Sequence, residues 1–231
     1  MGSNLNVRLV FLIFIVVLFA AGTGFMSYSQ SNGVPLQEAY ANGNIIITQN
    51  TSAGTVPHQV TISNNGRDPI KVQIGDVLIS NSSQDLVIAE NKTVSKNSTE
   101  TVNAYGLDPS TLSVVGAKLK PNGTSSNAIQ QVIYGSNIKD TNNATNAQVQ
   151  IWILTAGVNF NIYSGEPVSL VSAQNINYTK LRQIVTDAKA ALAAEFNVNV
   201  DNIKSINQSQ TSNSGDLING IMNWFKSTTG I

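Results

Sequence analysis

Side chains able to carry chemistry are few in this chain. It has no cysteine and one histidine, His58. The lack of cysteine excludes thiolate nucleophiles, thiolate zinc sites, disulfides and thioester cross-links. One imidazole excludes any site that needs two. A Ser–His–Asp relay would have to use His58, which follows Pro57 ahead of an expected strand, and it reads as a surface or turn residue. Asp68, Asp76 and Asp85 could meet at one end of a β-domain and offer oxygen ligands to Ca²⁺. Their spacing follows no calcium-loop pattern, so they read as solvated turn acids. Glu166 beside Pro167 points to nothing specific. There is no glycine-rich phosphate loop, no His/Glu metal pair and no nucleophile elbow. The expectation is therefore no catalysis, no cofactor and no bound metal.

Charge narrows the partners. Thirteen basic residues balance thirteen acidic ones, for a net charge of zero. With no basic patch, nucleic acid is not an expected partner, and no polybasic segment suits anionic lipid. Asparagine is abundant, at 29 of 231 residues. Eight Asn-x-Ser/Thr sequons occur, at Asn50, Asn81, Asn91, Asn97, Asn122, Asn143, Asn177 and Asn207. They are glycosylation candidates, mostly in turn-like stretches. Asn and Ser also populate turns without any glycan.

The elements that must position these residues begin with an apolar run. Residues 9–26, from Leu9 to Met26, hold eighteen residues with no charge. As a helix they would span roughly 27 Å, close to a bilayer's hydrocarbon core. Arg8 precedes the run, and no Lys or Arg follows until Arg67. The positive-inside rule then puts the N-terminus inside and the bulk outside. The expectation is an uncleaved signal anchor over 1–26, with the cell membrane as partner and location. Two alternatives compete. One is a cleaved signal peptide, for which Ala39-Tyr40-Ala41 has the small-x-small form but lies far from the run. The other is a filament subunit: the apolar helix followed by β-texture resembles archaeal pilins and flagellins. Residues 27–43 read as a polar spacer.

From Asn44 the texture is β. Ile45-Ile46-Ile47 is β-branched, and Gln59-Val60-Thr61-Ile62-Ser63 alternates. Asn65-Gly66 and Pro69 make a turn, and Ile70, Val72 and Ile74 share one face. Short apolar runs follow at 77–79, 86–88, 93–94, 99–105 and 112–119. Turn signals every 8–12 residues suggest a Greek-key-like β-sandwich.

Three segments carry a resemblance. Val60-Thr61-Ile62-Ser63-Asn64-Asn65-Gly66 leads into Pro69-Ile70-Lys71-Val72-Gln73-Ile74. Ala104-Tyr105-Gly106-Leu107-Asp108 follows, then Asn146-Ala147-Gln148-Val149-Gln150-Ile151-Trp152-Ile153-Leu154-Thr155. Together they resemble extracellular β-sandwich surface modules related to bacterial thioester domains. Such relatives often carry Cys where Gly106 stands here, so the resemblance implies a surface-displayed domain and no thioester or disulfide.

Helices complete the reading. Ala128, Ile129, Val132 and Ile133 share a face over 126–134, with Ser125 or Ser126 as cap. Residues 135–145 read as a polar loop and 158–163 as a period-two segment. Over 147–156 the pattern is open: Val149, Ile151 and Ile153 alternate, while Val149, Trp152 and Ile153 fit a helix face; the resemblance implies the helix, with Trp152 in the core. Leu181, Ile184, Val185, Ala188, Leu192 and Phe196 stripe a helix over 178–197, capped by Asn177 or Thr179. A domain over 44–197, a linker over 198–214 and an amphipathic C-terminal helix over 215–231 follow. The fold class is mainly β with helical additions: an N-terminal transmembrane helix, a β-sandwich and C-terminal helices. The function it suggests is a membrane-anchored, glycosylated surface protein with a structural or adhesive role. An envelope protein or glycan would be its partner. A secreted module binding carbohydrate or peptide is the alternative.

Overall fold

Period-two burial builds the first half of the molecule. The computed structural model describes residues 33–199. The strands are β1 (Val34–Pro35), β2 (Ile45–Gln49), β3 (His58–Asn64), β4 (Ile70–Val72), β5 (Asp76–Ile79), β6 (Leu86–Ile88), β7 (Lys92–Val94), β8 (Ser98–Gly106) and β9 (Lys118–Thr124). In β3 every second residue is buried: His58, Val60, Ile62 and Asn64. In β2 the same holds for Ile45, Ile47 and Gln49. These residues face inward because the strands close on themselves. The order β2-β3-β8-β6-β5-β9 forms a closed barrel, antiparallel throughout. Closure removes the sheet edges. The interior holds Ile47, Val60, Ile62, Leu78, Leu86, Ile88, Val102 and Leu119. A small sheet of order β1-β4-β7 lies against the same core through Ile70, Val72 and Val94.

Helices α1 (Leu36–Ala41), α2 (Asn127–Gly135), α3 (Thr141–Ala156), α4 (Glu166–Ala173) and α5 (Tyr178–Glu195) complete the described chain. The last four build a second core on the outside of β6 and β8. Leu86, Val87 and Ile88 are all fully buried. Leu86 and Ile88 join the barrel interior, while Val87 joins the helical core with Tyr105. Val87 pairs with Tyr105 across the two strands. Trp152 of α3 is buried among these helices, with the Phe160 ring edge-on at 6.0 Å. Leu181, Ala188 and Leu192 of α5 are likewise buried. Side-chain caps start three helices: Ser126 accepts from Ile129 N–H, Asp140 from Asn143 N–H, and Asn177 from Lys180 N–H. Each satisfies an orphan donor of a first turn.

Several expectations need correction. The fold is mixed α/β with a closed six-stranded barrel, not a mainly-β sandwich. The physical reason is β6 and the end of β8, Ala104-Tyr105-Gly106, which are buried on both faces and so need cover on both. Among the described residues no helix is long and apolar enough to cross a membrane. The longest, α5, has 18 residues and carries Lys180, Arg182, Asp187 and Lys189 on its outer face. The run at 9–26 lies outside the described residues, as do Asn207 and the helix expected at 215–231. The expected transmembrane helix, signal anchor, membrane partner and inside-to-outside location therefore have no support, nor has extracellular placement or adhesion. The spacer expected to Gly43 instead contributes β1 and α1, with Leu36 buried. The loop expected to Thr145 ends at Asp140, where the cap starts α3. Residues 158–163 form turns, not a strand.

Asn64 ties the barrel to the small sheet. Its Nδ2 reaches the carbonyls of Asp68 at 2.8 Å, Val94 at 3.1 Å and Ser95 at 3.1 Å. Its Oδ1 accepts from Gly66 N–H at 2.8 Å. Asn64→Leu removes the partner of one buried and three part-buried backbone groups, and an unsatisfied buried group costs about 1–3 kcal/mol. Urea unfolding should show a loss of about 3 kcal/mol or more, and a loss under 1 kcal/mol would refute this role.

A polar cleft and a buried polar cluster

A cavity lies where α2, α3 and α5 meet. It measures about 580 Å³ and opens to solvent. Asn137, Asp140, Asn142, Asn143, Asn146 and Gln150 line one wall, and Ala191 and Glu195 of α5 the other. Among the described residues no Lys or Arg lines it. Three of the amide oxygens are already held in place. Asn137 Oδ1 accepts from Lys139 N–H, Asn143 Oδ1 from Asn137 N–H, and Asn146 Oδ1 from the Gln150 amide. The three NH₂ groups of Asn137, Asn143 and Asn146 have no partner among the described residues. The cleft thus presents fixed amide donors beside two carboxylates. Partial burial pushes the Glu195 carboxyl above its ordinary value.

A second cluster is dry. It fills the end of the barrel where β2, β3 and the loops before β6 and β9 meet. His58 and Gln49 are fully buried, and Ser83, Gln84, Ser113 and Glu166 nearly so. The expectation that His58 is a surface or turn residue is corrected: it sits in β3 at an inward position, in register with Val60 and Ile62. Its Nδ1 lies 3.2 Å from Thr51 Oγ1. Its Nε2 lies 3.1 Å from Gln84 Nε2 and 3.3 Å from Ser113 Oγ. Gln84 Nε2 is 2.5 Å from the same Ser113 Oγ. Ser83 donates to Gln49 Oε1 at 2.6 Å and accepts from Val114 N–H at 3.0 Å. Glu166, the first residue of α4, accepts from Gly54 N–H at 2.7 Å and Ser113 N–H at 2.5 Å.

Gly54 shows how tightly α4 presses on this cluster. Its φ is +81°, and a Cβ there would lie 2.2 Å from Ser169 O. Only glycine fits.

Next to the cluster, two of the three stretches that carry the resemblance come together. Gly106 N–H donates to Gln148 Oε1 at 2.8 Å, and Gln148 Nε2 donates to Gly106 O at 2.7 Å. Thr155 donates to Leu107 O at 2.7 Å. A Cβ on Gly106 would lie 2.1 Å from Gln84 Oε1.

The remaining expected site residues stay apart. Among the described residues no group of three His, Asp or Glu side chains could hold a metal ion. Asp76 accepts from Gln73 N–H and Asp85 from Ser80 N–H, each closing a local turn. The seven described sequon asparagines are all exposed. Two of these sequons have a buried third residue. Ser83 follows Asn81 and is held by Gln49; Thr145 follows Asn143, donates to Thr141 O and accepts from Gln174. Comparison with family models, curated proteins and solved structures finds no match.

Burial lowers the His58 pKa from 6.5 to about 4. The folded state holds the imidazole neutral, while the unfolded chain takes up a proton below pH 6.5. Stability from this group is complete above pH 6.5 and drains away as the pH falls towards 4, by about 3 kcal/mol. The imidazole NMR signals should therefore not titrate above pH 5. Denaturation from pH 7 to pH 4 should show a shallower loss in His58→Gln than in the parent. Equal slopes would refute the burial argument.

Proposed function

We propose that this chain is a non-catalytic binding module whose ligand is a neutral, hydroxyl-rich molecule, a glycan, received in the cleft between α2, α3 and α5. One observation carries the reading: immobilised amides with unpartnered NH₂ groups converge on a cavity that holds carboxylates and no cation. Sugar hydroxyls are donors and acceptors at once, so an array of amides and carboxylates satisfies them pairwise. A phosphate or sulfate would meet Asp140 and Glu195 with no compensating charge. The volume, about 580 Å³, suits a short oligosaccharide. Tyr134, exposed and next in sequence to Gly135 of the cleft, offers an apolar ring face at the same end of α2.

The resemblance to thioester-type surface modules belongs to this proposal too. Its support is the pairing of Gly106 with Gln148, since an internal thioester needs a thiol beside a glutamine amide. With glycine at that place the likeness extends to the scaffold, not to covalent capture. A binding role and the lack of a nucleophile at 106 are then compatible.

Binding is tested by titrating the full chain with a panel of neutral oligosaccharides, followed by heteronuclear NMR or calorimetry. The expected result is binding by at least one neutral glycan. It should weaken about tenfold in Asn146→Ala and in Asn142→Ala, the loss of one or two hydrogen bonds each, with unfolding midpoints unchanged. Binding of sulfated glycans only, or no response to either substitution, would overturn the proposal.

A further inference from the structure

The dry cluster brings together a hydroxyl, a base and an amide, the three parts of an acyl-transfer reaction. We propose that Ser113 and Gln84 react with each other to form an internal ester, with His58 moving the proton and ammonia leaving.

The placement of each part supports this. Ser113 Oγ and the Gln84 carboxamide are in contact, 2.5 Å from oxygen to Nε2. His58 Nε2 faces both, 3.3 Å from the hydroxyl and 3.1 Å from the amide nitrogen. Gln84 Nε2 can only donate, so the His58 nitrogen 3.1 Å from it is the acceptor, which leaves the ring proton on Nδ1, 3.2 Å from Thr51 Oγ1. Nε2 is then the bare lone pair, aimed at the hydroxyl it must deprotonate. Glu166 grips Ser113 N–H, so the residue carrying the hydroxyl is positioned from behind. All of these groups except Thr51 are buried, so water does not compete as nucleophile.

The atoms balance without an added reagent. Ser113 Oγ attacks Gln84 Cδ while its proton passes to His58 Nε2. The tetrahedral adduct collapses, the Cδ–Nε2 bond breaks, and His58 returns the proton to the departing nitrogen. A primary amide and an alcohol become an ester and ammonia, and the imidazole ends neutral as it began. Proximity supplies the driving geometry that a free amide and alcohol lack in water.

The buried amide is also poorly satisfied as it stands. Gln84 Oε1 has no hydrogen-bond partner, and it occupies the space a Cβ at Gly106 would take. An ester has no N–H to satisfy and a weaker acceptor oxygen. Its formation therefore reduces the polarity that the barrel end must bury. The bond would close a loop between the segment before β6 and the segment before β9. The strands β6 and β9 both flank β5.

The test is the mass of the intact, full-length chain under denaturing conditions. The expected mass is that of the sequence less one ammonia. Trypsin should then release residues 72–92 and 97–118 as one linked species, split by hydroxylamine. Ser113→Ala and His58→Gln, each checked for native circular dichroism, should restore the full mass. Ser113→Thr, which keeps the hydroxyl, should retain the link. A folded parent of unmodified mass would overturn the proposal. So would an ammonia loss that survives Ser113→Ala and maps to an Asn–Gly step such as Asn122-Gly123.

Discussion

The burial of β6 on both faces is the constraint from which the architecture follows. Leu86 and Ile88 need an interior on one side, and Val87 needs cover on the other. A two-layer sandwich with one wet face would leave Val87 and its cross-strand partner Tyr105 in water. Closing the sheet into a barrel supplies the interior, and laying α2 to α5 on the outside supplies the cover. A fully buried aliphatic side chain contributes about 2 kcal/mol, so neither side could be forgone in a domain whose net stability is about 5–15 kcal/mol. The helices depend on the strands in return. A helix the length of α5 is marginal in water, and Leu181, Ala188 and Leu192 hold it through tertiary packing.

Where the layers meet, the packing is polar. A lone buried carboxylate would be costly, yet Glu166 is 1% exposed. Two backbone N–H donors and its place at the start of α4 offset that cost. Those donors come from Gly54 and Ser113, 112 and 53 residues away in sequence. One side chain thus holds the loop before β3, the loop before β9 and α4 in a fixed relation. The His58–Gln84–Ser113 contacts inherit their geometry from that clamp, because Ser113 N–H is one of its two jaws. The wet cleft is governed differently. Its amides are fixed by local caps and i, i+4 pairs within α3 and the turn before it, so its shape depends little on the barrel.

Legibility in the sequence follows the same division. Helices with sharp caps were readable: Ser126, Asn177 and their apolar stripes gave α2 and α5 nearly to the residue. The inward strand faces were readable from period two, and that signal also contained the correct place of His58 and Gln49. His58 extends the series Val60, Ile62, and Gln49 extends Ile45, Ile47. Polarity and the neighbouring Pro57 argued for a turn, and they were outweighed by register. Barrel closure was not readable, because it depends on the long-range pairing of β9 with β2 and β5. Strand β9 runs through Lys120-Pro121-Asn122-Gly123, a stretch with every local mark of a turn. Its Pro121 is buried and sits at the irregular step opposite Leu78, where the ladder shifts register and a missing N–H is tolerated. Helix α4 was missed since eight residues give little periodicity, although Pro167 near its start was an available signal. Of the cleft asparagines the sequence singles out Asn143 alone, as a sequon, because only the fold brings residues 137–150 against Ala191 and Glu195.

Space, finally, decides which nucleophile the barrel end can use. A Cβ at 106 would fall 2.1 Å from Gln84 Oε1. A side chain at 106 would therefore displace the Gln84 amide from its present place. With Gly106 in place, Gln148 is consumed by two backbone bonds and becomes a strut between β8 and α3. Gln84 is left with its oxygen unpartnered and its nitrogen against Ser113 and His58. The glutamine that is structurally satisfied and the glutamine that is chemically poised are thus different residues. The glycine between them determines which is which.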